Sequence, residues 1–339
     1  MAFWLDIAAF VLKAGFIVVA LGGFVALCAA LTRQKRPEES GVKVTSLNKR
    51  YAAREKSLND AILGKKALKT LARERKAETK AEATDDARKR VFVLTFQGDI
   101  RATAVKRLAA EVSAVLGVAR KGVDEVVVRV ESPGGSVTGY GLAASQLLRL
   151  RDSGVALTAC VDQVAASGGY LMACAADKII SAPFAITGSI GVVAQVPNVH
   201  RLLQKNSIDF EEFTAGEFKR SVSMVGEITP AGREHFQEKL GATHEAFKDF
   251  VRERRPKLDM AKVANGDYWL GAEALELGLV DALMTSEDYL FRARREARLF
   301  EVTSEAKKGL MARLRGGAGV ESFDVMDLVA KAARALRLA

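Results

Sequence analysis

Histidine, cysteine and proline are all scarce in this chain of 339 residues, which holds three, three and six of them. So few prolines beside 49% hydrophobic residues exclude a Pro-rich disordered chain. The length allows one large domain or two smaller ones with a full core. The cysteines, Cys28, Cys160 and Cys174, show no C-x-x-C or other metal-ligand spacing, so buried, inert thiols are expected. None of the histidines, His200, His235 and His244, stands beside a glycine turn at a strand end. The G-x-S-x-G elbow of α/β-hydrolases is missing too. A Ser-His-Asp triad is therefore poorly supported, and surface or structural roles are expected for the histidines. A basic domain is also lacking. Of the net charge of +10, the stretch Arg33 to Arg90 supplies +9, with 18 Lys/Arg against 9 Asp/Glu. The remainder is near neutral, so the charge gives no argument for a nucleic-acid partner.

What is present begins with a long apolar run. Ala14 to Leu31 are 18 residues without a charge, and Ile7 to Leu12 extend the run beyond Lys13. That is enough to span hydrocarbon. It exceeds the apolar core of a secretory signal, and no small-x-small cleavage site precedes Thr32. Leu27 stands before Cys28, which makes a poor lipidation site. A retained single-pass anchor is expected over residues 1–32, with Lys13 snorkelling towards the headgroups. Arg33, Lys35 and Arg36 follow at once, which by the positive-inside rule favours a cytoplasmic flank. Residues 33–90 are highly charged, with Leu47, Tyr51, Leu58, Ile62, Leu68 and Leu71 at about helical spacing. They read as a basic helical stalk of one or two helices, with attraction to anionic lipid headgroups as a secondary role.

From Val91 the texture changes. Strands are expected at Val91–Phe96, Val126–Val130, Val155–Val161 and Lys178–Ile180, with helices from about Ala102 to Ala119 and Thr138 to Arg151 between them. This alternation predicts an α/β domain with a largely parallel sheet over 91–290. Thr229-Pro230 caps and starts a long helix that stops at Pro256. Residues 291–339 read as a helical tail.

Two glycine-rich stretches fall at expected carboxyl ends of strands, where α/β sheets bind ligands. One is Ser132-Pro133-Gly134-Gly135; the other is Val164-Ala165-Ala166-Ser167-Gly168-Gly169-Tyr170. Free N–H groups at such turns can bind an oxyanion, and a serine held there can attack a carbonyl. With no suitable histidine, lysine is the alternative base, provided desolvation brings it towards the neutral form.

These two runs, followed by Thr187-Gly188-Ser189-Ile190-Gly191-Val192, resemble the signal peptide peptidase A family of serine–lysine proteases, peptidase family S49. Ala215-Gly216-Glu217-Phe218-Lys219-Arg220 looks like that family's lysine segment, and Trp269 to Asp281 is similar to its C-terminal signature. The single catalytic unit, apolar N-terminus and charged segment look most like the SohB branch. The resemblance implies a ClpP/crotonase-like fold and a membrane-anchored serine endopeptidase acting on peptide or protein substrates without cofactor or metal. It makes Ser167 the nucleophile, Lys219 the general base and Ser189 the residue that helps hold the lysine amine. Gly135 and Gly168 become the oxyanion donors, with Gly134 shaping the turn. In family members the serine and lysine of one site can come from different subunits, so the resemblance also implies a homo-oligomeric ring. The departures from the family pattern, Phe218 and Arg220, touch local pocket shape rather than mechanism.

Two other functions compete. A crotonase-type acyl-CoA enzyme would need carboxylate bases and a CoA site, and neither is evident. A non-catalytic membrane scaffold would have no use for the complete Ser/Lys set. The location expected is the bacterial inner membrane. The flanking charges favour a cytoplasmic catalytic domain, whereas the wider family favours the outer face.

Overall fold

The computed structural model describes residues 41–84 and 87–304. The expected anchor over 1–32 and most of the tail over 291–339 lie outside them. Among the described residues, no helix is long and apolar enough to cross a membrane.

The chain enters through β1 (Val42–Ser46), α1 (Leu47–Ile62) and α2 (Lys65–Thr84). Then come β2 (Lys89–Gln97), α3 (Val105–Leu116), β3 (Glu125–Glu131), α4 (Val137–Asp152) and β4 (Ala156–Val161). The next stretch holds β5 (Val164–Ala166), α5 (Gly168–Ala173), β6 (Lys178–Ser181) and β7 (Ile186–Gly188). Residues 191–228 contain α6 (His200–Lys205) and otherwise no regular structure. After them follow α7 (Pro230–Arg254), α8 (Met260–Val263), β8 (Tyr268–Leu270), α9 (Gly271–Glu276), β9 (Ala282–Leu283), α10 (Ser286–Ala293) and β10 (Ala297–Ser304).

Seven strands form one sheet in the order β1-β10-β2-β3-β4-β6-β9, parallel except for β1. Its central strands are apolar on both faces, as a sheet covered on both sides requires. Phe92, Leu94, Phe96, Val126, Val128, Val130 and Leu157 face the larger core, packed with side chains of α3, α4 and α5. Val91, Val93, Val127 and Cys160 face a smaller core closed by Leu47 and Tyr51 of α1 and Leu290 of α10. A second sheet, β5-β7-β8, branches off where Ser132 bridges Ala165, just past the carboxyl end of β3. This mixed α/β architecture, with its large parallel sheet, fits a ClpP-like fold.

Each strand and helix expected between Val91 and Arg255 is found, with Thr229 capping α7 by accepting from the Gly232 N–H at 3.0 Å. Two expectations need correction. The stretch after Phe291 is helical only to Ala293; Ala297–Ser304 is a strand, seated between β1 and β2 in the main sheet. Val42–Ser46 is a strand as well, within the 33–90 segment that reads in sequence as a basic helical stalk of one or two helices. These segments meet across the length of the chain, with Val42 opposite Ser304, and no local pattern announces such a pairing.

Candidate active site

Three backbone segments run side by side past the end of β3. The Ser132 N–H donates to the Val164 carbonyl at 2.8 Å, and the Ala166 N–H donates to the Ser132 carbonyl at 3.0 Å. On the other side β5 pairs in parallel with β7, Ala166 opposite Gly188, and the Ser167 N–H donates to the Gly188 carbonyl at 2.8 Å. Ser167 and Ser189 thus leave neighbouring strands at equivalent positions. Both carry positive φ, 51° and 50°, rare for a residue with a side chain. Such a conformation costs about 1–3 kcal/mol and persists only where the surroundings enforce it. At Ser167 the strand pairing on one side and the first turn of α5 on the other do so, the Leu171 N–H reaching the Ser167 carbonyl at 3.0 Å. The result is a half-buried serine at a strand-to-helix turn.

The glycines are packing requirements. A β-carbon on Gly134, whose φ is 93°, would stand 2.7 Å from Ser167 Cβ and 2.9 Å from the Gly168 nitrogen. One on Gly168 would stand 2.3 Å from Cγ of Tyr140. Only bare backbone lets these turns close on the serine. The Gly134 N–H donates to Ser132 Oγ at 3.1 Å. Among the described residues, the N–H groups of Gly135 and Gly168 meet no acceptor, and Gly168 opens α5, where the helix dipole adds partial positive charge.

Behind this lies a polar pair to which the motifs assigned no role. Ser132 and Tyr140 are both buried, and their hydroxyls share a short hydrogen bond. The Tyr140 hydroxyl also lies 2.9 Å from the Asp99 carbonyl, to which it donates. Tyr140 therefore lies under Gly168 with its ring and ties the Ser132–Gly134 turn with its hydroxyl. Its position eight residues after Ser132, on the buried face of the following helix, was the available signal. Desolvation by burial raises the Tyr140 phenol above its ordinary value, keeping it a neutral donor.

Ser189 is fixed by the loop that leads into β8: its N–H donates to the Asp267 carbonyl at 2.7 Å and its hydroxyl to the Gly266 carbonyl at 3.3 Å. Lys219 is not brought to this group within the chain. It lies in an exposed turn, its N–H on the Gly216 carbonyl at 3.1 Å, and its amine has no partner among the described residues. The turn is nonetheless held in place. Phe218 stacks on His235 of α7 with ring centres 3.9 Å apart, Arg220 pairs with Glu212 at 3.2 Å, and the Ser221 carbonyl packs against Gly232. His235 thus supports the lysine turn, while His244 and His200 bind the Ile190 and Val225 carbonyls. An open hollow lined by Ile228, Pro230, Arg233, Glu234, Gln237 and Glu238 lies along the first turns of α7 and contains none of the expected site residues.

The C-terminal signature is structural. Asp281 accepts from the Ile179 N–H at 2.7 Å and from Arg255 at 2.8 Å, joining β6 to the end of α7. The Tyr170 hydroxyl donates to the Leu279 carbonyl at 2.8 Å and anchors α5 from below.

The model of peptidase family S49 matches residues 149–299, and that of its N-terminal region matches residues 2–147. The chain belongs to peptidase family S49. Within S49 it falls in the SohB-like branch. It is 50% identical over 248 residues to "Probable protease SohB" of Haemophilus influenzae, covering 73% of this chain and 70% of that one. It is 51% identical over 226 residues to "Probable protease SohB" of Buchnera aphidicola subsp. Acyrthosiphon pisum, covering 67% of each. A SohB homologue of Buchnera aphidicola subsp. Baizongia pistaciae is 37% identical over 329 residues, 93% of this chain and 94% of its own length. These relatives support a peptidase with peptide or protein substrates, a coarser statement than any assignment of catalytic roles.

Proposed function

We propose that this S49 chain is a membrane-anchored serine endopeptidase with a Ser/Lys dyad, and that its ClpP/crotonase-like domain works as a homo-oligomeric ring. The observation that carries the reading is Ser167 itself: a serine at φ 51° between two glycine turns whose Gly135 and Gly168 N–H groups are unspent. Membership of a peptidase family speaks against the acyl-CoA alternative, and a scaffold has no need of a strained serine.

In this mechanism Ser167 Oγ attacks the scissile carbonyl carbon while its proton passes to the neutral amine of Lys219. The C–O bond forms, and the carbonyl oxygen takes the negative charge against the N–H groups of Gly135 and Gly168. Gly134 has spent its N–H on Ser132 and shapes the turn. Collapse breaks the C–N bond, and the lysine returns the proton to the leaving amine. Water, activated by the same amine, then hydrolyses the acyl-serine. Ser189 orients the amine.

The exposure of Lys219 supports sharing of sites between subunits. Its segment also carries apolar side chains in the open, among them Phe213 at 91% and Val193 at 80% exposure. An assembly would cover these and enclose the amine. The full chain reconstituted in lipid tests this. Ser167→Ala and Lys219→Ala should each abolish peptide hydrolysis while the protein still folds and assembles. Mixing the two dead variants should restore part of the activity if one subunit's lysine serves another's serine. Turnover retained by either purified variant would sink the dyad.

A further inference from the structure

We propose that the turn between α1 and α2 is a membrane-contact tip that seats on an anionic lipid surface. The inference rests on the anchored reading above. α1 and α2 form an antiparallel hairpin, Arg75 reaching back to Glu55 at 3.0 Å and to the Ala52 carbonyl at 3.4 Å. Its foot is fixed in the domain: Leu47 and Tyr51 are buried in the smaller core, and Arg50 pairs with Glu301 of β10 at 3.0 Å. Ile62 lies fifteen residues beyond Leu47, so the tip stands roughly 22 Å along the helix from that foot.

The character of the surface changes at the tip. Leu58 and Ile62 are 66% and 73% exposed, and Leu63 is exposed beside them. Lys65, Lys66 and Lys69 follow in the first turns of α2, all exposed and with no carboxylate partner among the described residues. Nearer the foot, by contrast, three of the four basic side chains of α1 are paired, Arg50 with Glu301, Arg54 with Glu287 and Lys56 with Asp60, and among the described residues only Lys49 has no such partner. Large apolar side chains beside unpaired lysines are the composition of a surface that enters the headgroup region. An acidic soluble partner would account for the lysines and leave the leucines and isoleucine in water.

Reach points to the same occupant. Ten residues, Thr32 to Gly41, separate the apolar run ending at Leu31 from β1, so β1 starts within about 35 Å of that run. Only β1 separates this entry from the foot of the hairpin. A tip roughly 22 Å beyond the foot therefore lies within range of the bilayer that would hold the run. Each lysine near an anionic leaflet favours contact by roughly fivefold, so three favour it by about a hundredfold.

The test uses the full chain reconstituted in phosphatidylcholine vesicles with or without phosphatidylglycerol. A polarity-sensitive fluorophore is attached at Ile62→Cys or, as control, at Asp152→Cys, both with Cys28→Ser. The label at 62 should shift to the blue and be quenched by brominated lipid in the anionic vesicles. High salt, or reversal of Lys65, Lys66 and Lys69 to Glu, should weaken the effect, and the label at 152 should stay in water. Flotation with the vesicles reads the anchor separately. Protein that floats with the 62 label in water overturns the tip alone; protein that fails to float overturns both readings. A shift at 62 that follows protein density and not lipid charge assigns the tip to a second copy and overturns the lipid assignment.

Discussion

Removing one oxygen atom, by Tyr140→Phe, separates the support of the site from the site itself. The hydroxyl donates to the Asp99 carbonyl and pairs with Ser132, which is wholly buried. Each hydrogen bond is worth about 1 kcal/mol net, and a buried polar group left without a partner costs about 1–3 kcal/mol. Ser132 keeps the Gly134 N–H, so the total should be about 3 kcal/mol. For a domain of this size that lowers Tm by roughly 6–12 °C. The catalytic effect follows a different path. Ser132 Oγ holds the Gly134 N–H, and the Gly135 N–H is next along the chain. Deleting an oxyanion donor costs roughly 10²–10³-fold in kcat, so loosening one should cost about 10–100-fold, with KM little changed. The assay is acylation of Ser167 by a fluorophosphonate probe, well below Tm, beside thermal unfolding. Leu147→Ala, a core truncation on the same helix expected to cost about 2–5 kcal/mol, serves as control: it should lower Tm without slowing acylation. If Tyr140→Phe acylates at the wild-type rate while Tm falls, the pair is merely structural and does not position the oxyanion donors. If neither moves, the hydrogen bonds contribute nothing.

Gly168→Ala should be far more severe, because its β-carbon would meet the Tyr140 ring at 2.3 Å; loss of probe labelling, or of folded protein on gel filtration, checks it. Asp124 is buried, which alone would raise its carboxyl, but hydrogen bonds from Arg120 and Arg90 outweigh burial and hold it well below the ordinary value. The stability it contributes is therefore complete above about pH 4 and is lost as pH falls through the depressed native value. Asp124→Asn should cost about 3 kcal/mol at pH 7 in urea unfolding, with the gap to wild type closing below pH 4; a constant gap would contradict the ion pair. Burial pushes the thiols of Cys160 and Cys174 up to about 12, with the charges of Asp162 and Glu125 adding to the effect at Cys160. Neither should react with iodoacetamide at pH 8 until urea unfolds the domain, and rapid labelling of either in the folded protein would show that the core is open.

The candidate site was legible because its shape depends on backbone as much as on side chains. Gly134, Gly135 and Gly168 stand where bare backbone must approach Ser167, Ile100 and Tyr140 in turn, and turns of that kind are written locally as strand, Gly-Gly and helix start. Thr229-Pro230 and the apolar strands from Val91 to Val161 were readable for the same reason, since capping and burial on both faces leave their mark within a few residues. Ser132 and Tyr140 were on the page as letters but not as a pair. Their hydroxyls meet only because α4 folds back over the turn.

Ser167 as a candidate nucleophile, the glycine turns around it and the alternating α/β order were thus determined by the sequence alone. Tertiary structure decided the rest. It set Ala165 beside Ser132 and Gly188 beside Ala166, which turns three scattered motifs into one cluster. It made strands of Val42–Ser46 and Ala297–Ser304, whose β-branched and apolar residues permit a strand but do not name a pairing partner about 260 residues away. It left Lys219 in the open, tethered through Phe218 and His235. The physical reason is common to all of these. Turns and caps are fixed by contacts a few residues apart, whereas register, edge pairing and the desolvation of a lysine depend on partners distant in the chain or on another copy of it.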